Sequence, residues 1–390
     1  MSGPRIGVNL LWLVPGQVGG SEDYCVGLLR AIARRTIEER PVEVILYLNR
    51  EAATRYPDLE RSFTARVAPV RGRRRPTRVI AEHTWLVSAG RRDRLELVHH
   101  LGGTMPFVRS APGLMLVHDL QAWAMPQNFS ASKRAYLRAT VPPSIRRARG
   151  ITTLSRWVQR DVHARLDVPT DRMECLPPGA ERLVGGEAHA EEGVVLERHG
   201  IGGRPFFLYP VITYPHKNHE TLITAFACIV DAHPEALLVL PGGEGPSEAD
   251  VRHVIERERV ADRVRRLGRV PDGALEVLYR RTRALTFPSR YEGFGMSLLE
   301  VMNHGRPVVA SDATAIPEVV GDGGILVDPD DVAGWAAALR RLLEDDAYWR
   351  ERSAAARARA AAFSWDRTVD DLFDLYRRAA AGPLDRQAHS

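Results

Sequence analysis

Two glutamates with a glycine-bearing loop between them mark the second half of the chain. Glu292 and Glu300 lie in the segment YEGFGMSLLE, which follows an apolar run that ends at Phe287. The pattern predicts a strand, a loop and a short helix with Ser297 as its N-cap and its end at Gly305. The unpaired N–H groups at a helix N-terminus can bind phosphate oxygens. Carboxylates on both sides of such an anion site could hold hydroxyls of a sugar and a ribose that flank a diphosphate.

Lysine is scarce, which directs attention to Lys217. The 54 basic residues comprise 52 arginines and only two lysines, Lys133 and Lys217. Lys217 occurs in the segment TYPHKNH, between an apolar run and a helical pattern. An ammonium group there would neutralise the charge that grows on a departing diphosphate. The alternative is an ordinary surface lysine in a turn, and Lys133 has no assigned role.

Residues after two apolar runs of the first half are further candidates. Gly19 and Gly20 precede a helical pattern that begins near Ser21. Without a Cβ they would let the backbone approach a ligand closely, although a pair of glycines is usually just a turn. His118 follows the run Leu114–Val117. It is expected at the carboxyl edge of a sheet, where it either faces a ligand or binds a strand-end carbonyl.

Short apolar runs alternate with amphipathic stretches along the whole chain, five runs in the first half and six in the second. This alternation is typical of parallel sheets with helices on both faces. The sequence therefore predicts the α/β class, with two doubly wound domains that face each other across a cleft. We place the first domain at residues 1–182, a linker at 183–200 and the second domain at 201–365. A C-terminal helix that crosses back to the first domain, and a tail, are placed at 366–390.

The composition excludes several classes of protein. No run of about 18 apolar residues occurs, so a transmembrane helix is not expected. The three cysteines are far apart and form no CxxC motif, which argues against a disulfide framework and a zinc site. The first residues lack the layout of a signal peptide, so a cytoplasmic protein is expected. No nucleic-acid-reading motif accompanies the basic residues.

Charge is divided unevenly between the two halves. Residues 1–182 hold 29 basic and 17 acidic side chains, a net charge of +12, whereas residues 183–390 hold 25 and 32, a net charge of −7. Most basic clusters are simply solvated. The functional alternative is an anionic partner, either a phosphorylated substrate or the headgroups at the inner face of a membrane.

These segments together resemble the retaining nucleotide-sugar glycosyltransferases of the GT-B fold, family 4. The resemblance runs from Gly7 to about Tyr376. Besides Glu292-x7-Glu300, it rests on Gly19-Gly20, Val117-His-Asp-Leu120, Pro177-Pro-Gly179, His216-Lys-Asn-His219 and Pro317-Glu318.

The resemblance implies roles for individual residues. Glu292 would contact hydroxyls of the transferred hexose, Glu300 the ribose, and Lys217 the diphosphate. Backbone around the loop would line the sugar and the diphosphate, at Gly293, Phe294, Gly295, Met296 and Ser297. Gly19 and Gly20 would contact the donor phosphate, and His118 would lie beside the reacting sugar carbon. His99 and His100, at the end of a predicted strand, and Ser155, at the start of a predicted helix, are weaker candidates for the acceptor side. Helix capping is the alternative for Ser155.

The implied activity is transfer of a hexose from a nucleoside diphosphate sugar to an acceptor hydroxyl, with retention at the anomeric carbon. GDP-mannose, UDP-glucose and UDP-N-acetylglucosamine stay open as donors, and the basic first half favours an anionic or lipid-linked acceptor. No metal and no other cofactor is implied, since a helix N-terminus and Lys217 would replace an Asp-x-Asp cluster. Family members usually carry an arginine five residues before this lysine, but Ile212 occupies that place here. Either Lys217 and the helix suffice, or another arginine such as Arg290 substitutes.

Two other functions fit the same architecture. A sugar-nucleotide epimerase shares the fold but not the Glu292–Glu300 loop. A non-catalytic sugar-nucleotide-binding protein would bind the donor without releasing nucleotide. A dehydrogenase is disfavoured because no GxGxxG motif opens either domain.

Overall fold

The computed structural model describes residues 3–17, 19–183 and 191–384. The chain divides into two compact units, one formed by Met1–Gly179 and Ser364–Ser390 and the other by Ala180–Phe363. Each unit contains a parallel β-sheet with helices between most of its successive strands. The prediction of two doubly wound α/β domains is therefore confirmed.

The first unit is built on a sheet that has seven strands among the described residues. They are β1 (Arg5–Leu10), β2 (Glu43–Leu48), β3 (Thr64–Val67), β4 (Leu97–His100), β5 (Gly113–Val117), β6 (Gly150–Thr153) and β7 (Met173–Cys175). Their order is β3-β2-β1-β4-β5-β6-β7, and all pairs are parallel. The accompanying helices are α1 (Gly20–Arg34), α2 (Arg50–Arg55), α3 (Pro57–Ser62), α4 (Arg75–His83), α5 (Trp85–Arg92), α6 (Gln121–Ala124), α7 (Ala131–Arg147) and α8 (Arg156–Leu166). The central strands are apolar along most of their length because helices cover both faces of a parallel sheet.

The second unit has a six-stranded parallel sheet within the part of the chain that is described. Its strands are β8 (Phe206–Leu208), β9 (Leu237–Pro241), β10 (Val264–Gly268), β11 (Ala284–Phe287), β12 (Val308–Ser311) and β13 (Ile325–Val327), in the order β10-β9-β8-β11-β12-β13. Its helices are α9 (Glu192–Arg198), α10 (His219–Ala227), α11 (Glu248–Arg257), α12 (Asp272–Arg281), α13 (Met296–Asn303), α14 (Ile316–Val320), α15 (Val332–Glu344) and α16 (Asp346–Ala360). The strand order reverses between β8 and β11, and ligands of such sheets bind at the carboxyl ends of the strands at this point.

The predicted linker at residues 183–200 is only partly irregular. Residues 184–190 of it lie outside the described residues, but α9 occupies most of the remainder. Arg281 of α12 pairs with Glu192 of α9 at 3.2 Å. The apolar side chains Val195 and Leu196 of α9 are buried. The acidic residues and glycines of this segment obscured the pattern of a short amphipathic helix, which packs within the second unit.

The last helix, α17 (Trp365–Ala381), is part of the first unit. Trp365 packs on Gly27 and Gly179, where a Cβ would lie 2.7 and 2.5 Å from its atoms. Thr368 donates from Oγ1 to the carbonyl of Pro177 at 2.5 Å. The Pro177-Pro-Gly179 segment noted in the sequence therefore packs against the start of α17. Its glycine, which lacks a Cβ, allows the indole of Trp365 to approach closely.

Two strands of the first unit were not predicted. β3 and β7 have four and three residues and lie at the two edges of the sheet. Their sequences, TARV and MEC, contain no apolar run, and three of the four residues of β3 are exposed. Pairing with β2 and β6 makes these segments strands, which local composition does not reveal.

None of the helices in residues 3–17, 19–183 and 191–384 combines the length and the apolar composition that crossing a bilayer requires.

Candidate active site

Polar side chains fix the loop that carries Lys217. This loop follows β8, and Lys217 ends a short 3-10 turn. Asn218 donates from Nδ2 to the carbonyl oxygens of Pro288 and Pro329, at 3.2 and 2.7 Å. Tyr209 donates from its hydroxyl to the carbonyl oxygen of Lys217 at 2.7 Å. The carbonyl of Lys217 and the side chain of Asn218 are thus tied to residues that follow β8, β11 and β13, a role of Tyr209 and Asn218 that was not predicted from the sequence.

Lys217 and Glu292 form an ion pair. Glu292 lies in the loop after β11, and its N–H donates to Oγ1 of Thr314 at 3.0 Å. Nζ of Lys217 donates to Oε1 of Glu292 at 2.5 Å, and the two side chains are only 16% and 13% exposed. The residues are 75 positions apart in sequence. They meet because β8 and β11 are neighbours where the strand order reverses.

The glycine loop leads into α13, but its start differs from the prediction. The helix begins at Met296 with Gly295 as its N-cap, so the prediction that Ser297 caps it is wrong. Gly295 has φ 100°, and a Cβ there would lie 2.7 Å from Cδ1 of Leu298. Only glycine adopts this conformation readily, which is why it precedes the helix. The first N–H groups of α13 therefore follow the Gly293–Gly295 loop, whose Phe294 ring packs edge-on against Phe363.

Glu300 lies inside α13 and is buried, with 5% exposure. Burial raises the pKa of Glu300, and the nearby positive charge of Arg182 opposes the rise. Nε of Arg182 is 3.4 Å from Oε1 of Glu300, and its Nη2 is 2.8 Å from Oδ1 of Asp272. Arg182 could not be predicted from the sequence, because nothing local distinguishes it from the other arginines.

Removal of Arg182 is expected to destabilise the second unit. In Arg182→Ala, the Glu300 carboxylate stays buried without its main opposite charge, so the free energy of unfolding should fall by about 3–5 kcal/mol. Urea denaturation at neutral pH measures this loss. The double variant Arg182→Ala/Glu300→Gln should recover part of it, since a neutral amide costs less to bury than a charge. Equal losses in the single and double variants would contradict the electrostatic explanation.

Arg290 lies beside the loop that carries Lys217. It is therefore placed where it could substitute for the arginine that family members carry at the position of Ile212. Its N–H donates to the carbonyl oxygen of His216 at 2.8 Å. Its guanidinium pairs with Asp330, and the two side chains are 38% and 66% exposed. Exposed ion pairs of this kind contribute only about 0–1 kcal/mol. The pair therefore leaves Arg290 able to exchange Asp330 for another anion.

In the first unit, Gly19 and Gly20 form the start of α1. Gly19 is the N-cap with φ 59°, and a Cβ there would meet no described atom within 4 Å. Glu22, in the first turn, accepts the N–H of Gly16 at 2.7 Å and the hydroxyl of Tyr56. Glu22 was not a predicted site residue, yet it anchors the loop that ends in the two glycines. The glycine is required by its backbone conformation, and the surrounding space leaves room for a ligand.

His118 follows β5, as predicted, and binds a carbonyl with one ring nitrogen. Nε2 lies 2.9 Å from the carbonyl oxygen of Leu101. Because a carbonyl only accepts, Nε2 carries the proton and Nδ1 holds a lone pair. Burial lowers the pKa of His118 to about 4, so the ring is neutral at pH 7. Nδ1 is buried and has no hydrogen-bond partner among the residues that the structure describes. Its lone pair is therefore unused among the described residues of this structure.

The three weaker candidates have structural contacts. His99 is 1% exposed, and its ring nitrogens lie 2.9 Å from the Tyr376 hydroxyl and 3.0 Å from Oγ1 of Thr152. With both nitrogens occupied, His99 ties α17 to the sheet and has no nitrogen left for an acceptor. His100 is also buried, at 2% exposure, with Nδ1 3.2 Å from Nδ2 of Asn9. Ser155 caps α8 by accepting the N–H of Val158 at 3.1 Å.

The buried histidines make stability depend on pH. Burial lowers the pKa of His99 to about 3, whereas an unfolded histidine titrates near 6.5. The unfolded chain therefore binds a proton below pH 6.5 that the folded chain does not, so the contribution is complete above pH 6.5 and is lost as pH falls towards 3. We expect His99→Gln to reduce the slope of unfolding free energy against pH between 6 and 4 by about 1.4 kcal/mol per pH unit. Urea titrations across this range test it, and an unchanged slope would contradict it.

Nowhere among the described residues do three or more His, Cys, Asp or Glu side chains gather in a way that could hold a metal ion.

Comparison with known proteins identifies the family. The family model of glycosyl transferases group 1 matches residues 196–362, and that of glycosyltransferase family 4 matches residues 18–182. O-antigen chain mannosyltransferase B of Escherichia coli is 30% identical over 262 residues, which are 67% of this chain and 68% of that protein. The chain belongs to the group 1 glycosyltransferases.

Further relatives and solved structures agree with this assignment. A D-inositol 3-phosphate glycosyltransferase of Salinispora arenicola is 30% identical over 315 residues, 75% of this glycosyltransferase and 70% of that protein. The structure of Anabaena HepE in complex with UDP and glucose matches with a TM-score of 0.74 at 18% identity, over 96% of this chain and 100% of that one. Sucrose-phosphate synthase from Thermosynechococcus elongatus matches with a TM-score of 0.72 at 20% identity, over 97% and 99%. At these identities the structures show the fold, and the predicted fold class and family are confirmed.

Proposed function

We propose that this glycosyltransferase moves a hexose from a nucleoside diphosphate sugar to an acceptor hydroxyl with retention at the anomeric carbon. The observation that carries the proposal is the Lys217–Glu292 ion pair, in which Glu292 lies four residues before the first residue of α13. A cation, a carboxylate and free N–H groups together match the diphosphate and the hydroxyls of such a donor.

Each group has its own part of the donor. The diphosphate binds Nζ of Lys217 and the first N–H groups of α13. Glu292 is then no longer paired with Lys217 and accepts hydrogen bonds from hexose hydroxyls. Glu300 binds the ribose hydroxyls, and Arg182 favours its ionised form and holds it in place. Arg290 replaces the cation that Ile212 does not provide. Because all these residues belong to the second unit, this unit binds the donor.

The chemical step is a displacement on one face of the sugar. The bond between the anomeric carbon and the diphosphate oxygen breaks, and its electron pair stays on that oxygen. The acceptor oxygen bonds to the same face of the anomeric carbon, and its proton passes to the departing phosphate. Lys217 and the helix N-terminus stabilise the charge that develops on the leaving group, so neither a protein nucleophile nor a metal ion is required. In the first unit, Gly19 and Gly20 contact the donor phosphate, and His118 lies beside the reacting sugar carbon.

The relatives narrow the substrates to be tested. HepE was solved with UDP and glucose, and the Escherichia coli relative is named a mannosyltransferase. UDP-hexoses, UDP-N-acetylhexosamines and GDP-mannose are therefore the donors of choice. The Salinispora relative is named for D-inositol 3-phosphate, a phosphate-bearing acceptor. Together with the net charge of +12 in residues 1–182, this supports an anionic acceptor, soluble or linked to a lipid at the inner face of the membrane.

Thermal-shift screening of donors, followed by assays of nucleoside diphosphate release with candidate acceptors, tests the proposal. Release that depends on an acceptor supports transfer. Release without an acceptor would indicate hydrolysis of the donor. Conversion of the donor into its epimer without release of nucleotide would favour the epimerase alternative, and donor binding with neither reaction would favour a non-catalytic binding protein. NMR of the product should show the anomeric configuration of the donor, and activity should survive EDTA. Strong activity on cationic aminoglycosides with none on phosphate-bearing acceptors would overturn the proposed acceptor class.

A further inference from the structure

The first unit has a pocket at the edge of its sheet opposite to His118. The pocket has a volume of about 640 Å³, and its lining comes from segments that directly precede β5, β6 and β7 and from the chain after α17. Since all strands of this sheet are parallel, these segments lie at its amino edge. His118 and Ser155 follow β5 and β6 and therefore lie at its carboxyl edge. The pocket is thus separate from the residues that we assign to substrate in this unit.

Four arginines line the pocket: Arg109, Arg147, Arg149 and Arg172. Among the described residues, no carboxylate forms an ion pair with any of the four. Three of the four donate to backbone carbonyls: Nη1 of Arg109 donates to the carbonyl oxygen of Arg147 at 2.8 Å, and Nη2 of Arg172 to that of Ala148 at 2.6 Å. Nη1 of Arg149 donates to the carbonyl of Ala379. Carbonyl groups hold the guanidinium groups in place, but they do not neutralise four positive charges.

Arg147 differs from the other three because it stacks on an aromatic ring and has hydrogen-bond donors that are unused among the described residues. Its guanidinium carbon lies 4.0 Å from the centre of the Phe107 ring. Nε and Nη2 are buried, and neither finds a hydrogen-bond acceptor in the part of the chain that is described. Burial and the charges of Arg109 and Arg146 lower the pKa of Arg147. Crowding of like charges around a side chain with unused donors is unfavourable unless an anion compensates it.

We propose that this pocket binds a phosphate-bearing anion, either a free organic phosphate or the phosphate headgroup of a lipid. Guanidinium groups bind phosphate oxygens through paired, charge-assisted hydrogen bonds. A volume of about 640 Å³ lies within the range of small-molecule sites and exceeds what a phosphate ion alone would fill. Phe107, on the lining, is 58% exposed and offers an apolar surface to the rest of the ligand.

Titration calorimetry on the full chain tests the proposal, with pyrophosphate and glycerol 3-phosphate as probes. The background is Lys217→Ala, so that the proposed donor site contributes little to binding. Adding Arg147→Gln should weaken the affinity for at least one probe by about tenfold or more, because a charged hydrogen-bond donor is lost. The matched control is Arg146→Gln. Arg146 is adjacent to Arg147 in sequence, but its side chain is exposed and does not line the pocket, so this variant removes the same charge outside the proposed site. It should change the affinity less than about twofold.

A vesicle arm distinguishes the two sources of phosphate. Flotation with phosphatidylglycerol vesicles, and with phosphatidylcholine vesicles as the neutral reference, is compared for the same variants. Binding of soluble probes that depends on Arg147 assigns a free organic phosphate. Binding only to phosphatidylglycerol vesicles, again dependent on Arg147, assigns a lipid headgroup. Both results support the proposal, provided that the thermal melts of the variants show a folded chain.

Three results would overturn it. The first is that neither the probes nor the anionic vesicles bind. The second is that Arg147→Gln and Arg146→Gln weaken binding equally, which would indicate diffuse surface charge. The third concerns Asp385, which follows Leu384 of the lining in sequence. If phosphate binds to the Asp385→Asn variant but not to the unmodified chain, the arginines bind the carboxylate of Asp385 and not an external phosphate. Arg147→Lys, which keeps the charge without the paired geometry, should give an intermediate affinity if the phosphate is bound as proposed.

Discussion

Lys217→Ala is expected to lower kcat/KM for sugar transfer by about 10²–10³-fold, the usual effect of removing one group that stabilises transition-state charge. Nζ of Lys217 is held 2.5 Å from Glu292 in a largely buried setting, where a charge acts on a diphosphate more strongly than it would in water. Most of the loss should appear in kcat, because the leaving group gains charge as the glycosidic bond breaks. Initial rates of nucleoside diphosphate release over a range of donor concentrations measure it.

The other lysine provides the matched control. Lys133 lies at the start of α7 with Nζ 4.8 Å from the centre of the Phe129 ring, and we assign it no part in the reaction. Lys133→Ala removes the same side chain and should leave kcat/KM within about twofold of the unmodified chain. Lys217→Arg should stay well below full activity, because a planar guanidinium does not reproduce a compact ammonium in a shaped site. Turnover of Lys217→Ala at the level of Lys133→Ala would refute the role of Lys217.

Glu292→Gln is expected to reduce kcat by a comparable factor, about 10²–10³-fold, but to affect nucleotide binding differently. The carboxylate is proposed to bind hexose hydroxyls, so its loss should impair the step in which the sugar changes shape and charge. Glu292 also neutralises Lys217 in the free enzyme. Without that competition, free nucleoside diphosphate should bind Glu292→Gln at least as tightly as the unmodified chain, whereas Lys217→Ala should bind it more weakly.

Rates and calorimetric affinities of the two variants together separate these roles. Glu244→Gln serves as the control, since Glu244 is 67% exposed and pairs with the equally exposed Arg252. Glu244→Gln should alter neither the rate of transfer nor the affinity for nucleoside diphosphate. Weaker binding of free nucleoside diphosphate to Glu292→Gln would mean that the carboxylate supports the phosphate site through Lys217 and does not compete with it.

Secondary structure in the centre of each sheet follows from local sequence. Strands such as β5 and β11 are short apolar runs, and both are buried along their whole length. The edge strands β3 and β7 and the short helix α9 escaped prediction because pairing and packing with distant segments stabilise them. Ser297 was predicted as an N-cap from its residue type, but the positive φ required before α13 gave that position to Gly295.

The site itself was predictable to different degrees. Glu292 and Lys217 could be found because glycines and a scarce residue type mark their surroundings. Asn218, Tyr209, Thr314 and Arg182 could not, since they act through hydrogen bonds or ion pairs to residues far away in sequence. His99 was offered as an acceptor residue from its place at a strand end. Its contacts with Tyr376 and Thr152 instead make it a buried link between α17 and the sheet.

The sequence alone determined the α/β class, the two parallel sheets and the glycosyltransferase family, and it singled out Lys217 and Glu292, the two charged residues that we propose for the donor site. It could do so because apolar periodicity, glycine positions and a motif are properties of neighbouring residues. Only the tertiary structure decided that Lys217 and Glu292 pair with each other, that Arg182 balances the buried Glu300, and that four arginines from three separate segments meet in one pocket. These arrangements depend on strand order, which brings residues dozens of positions apart to the same edge of a sheet.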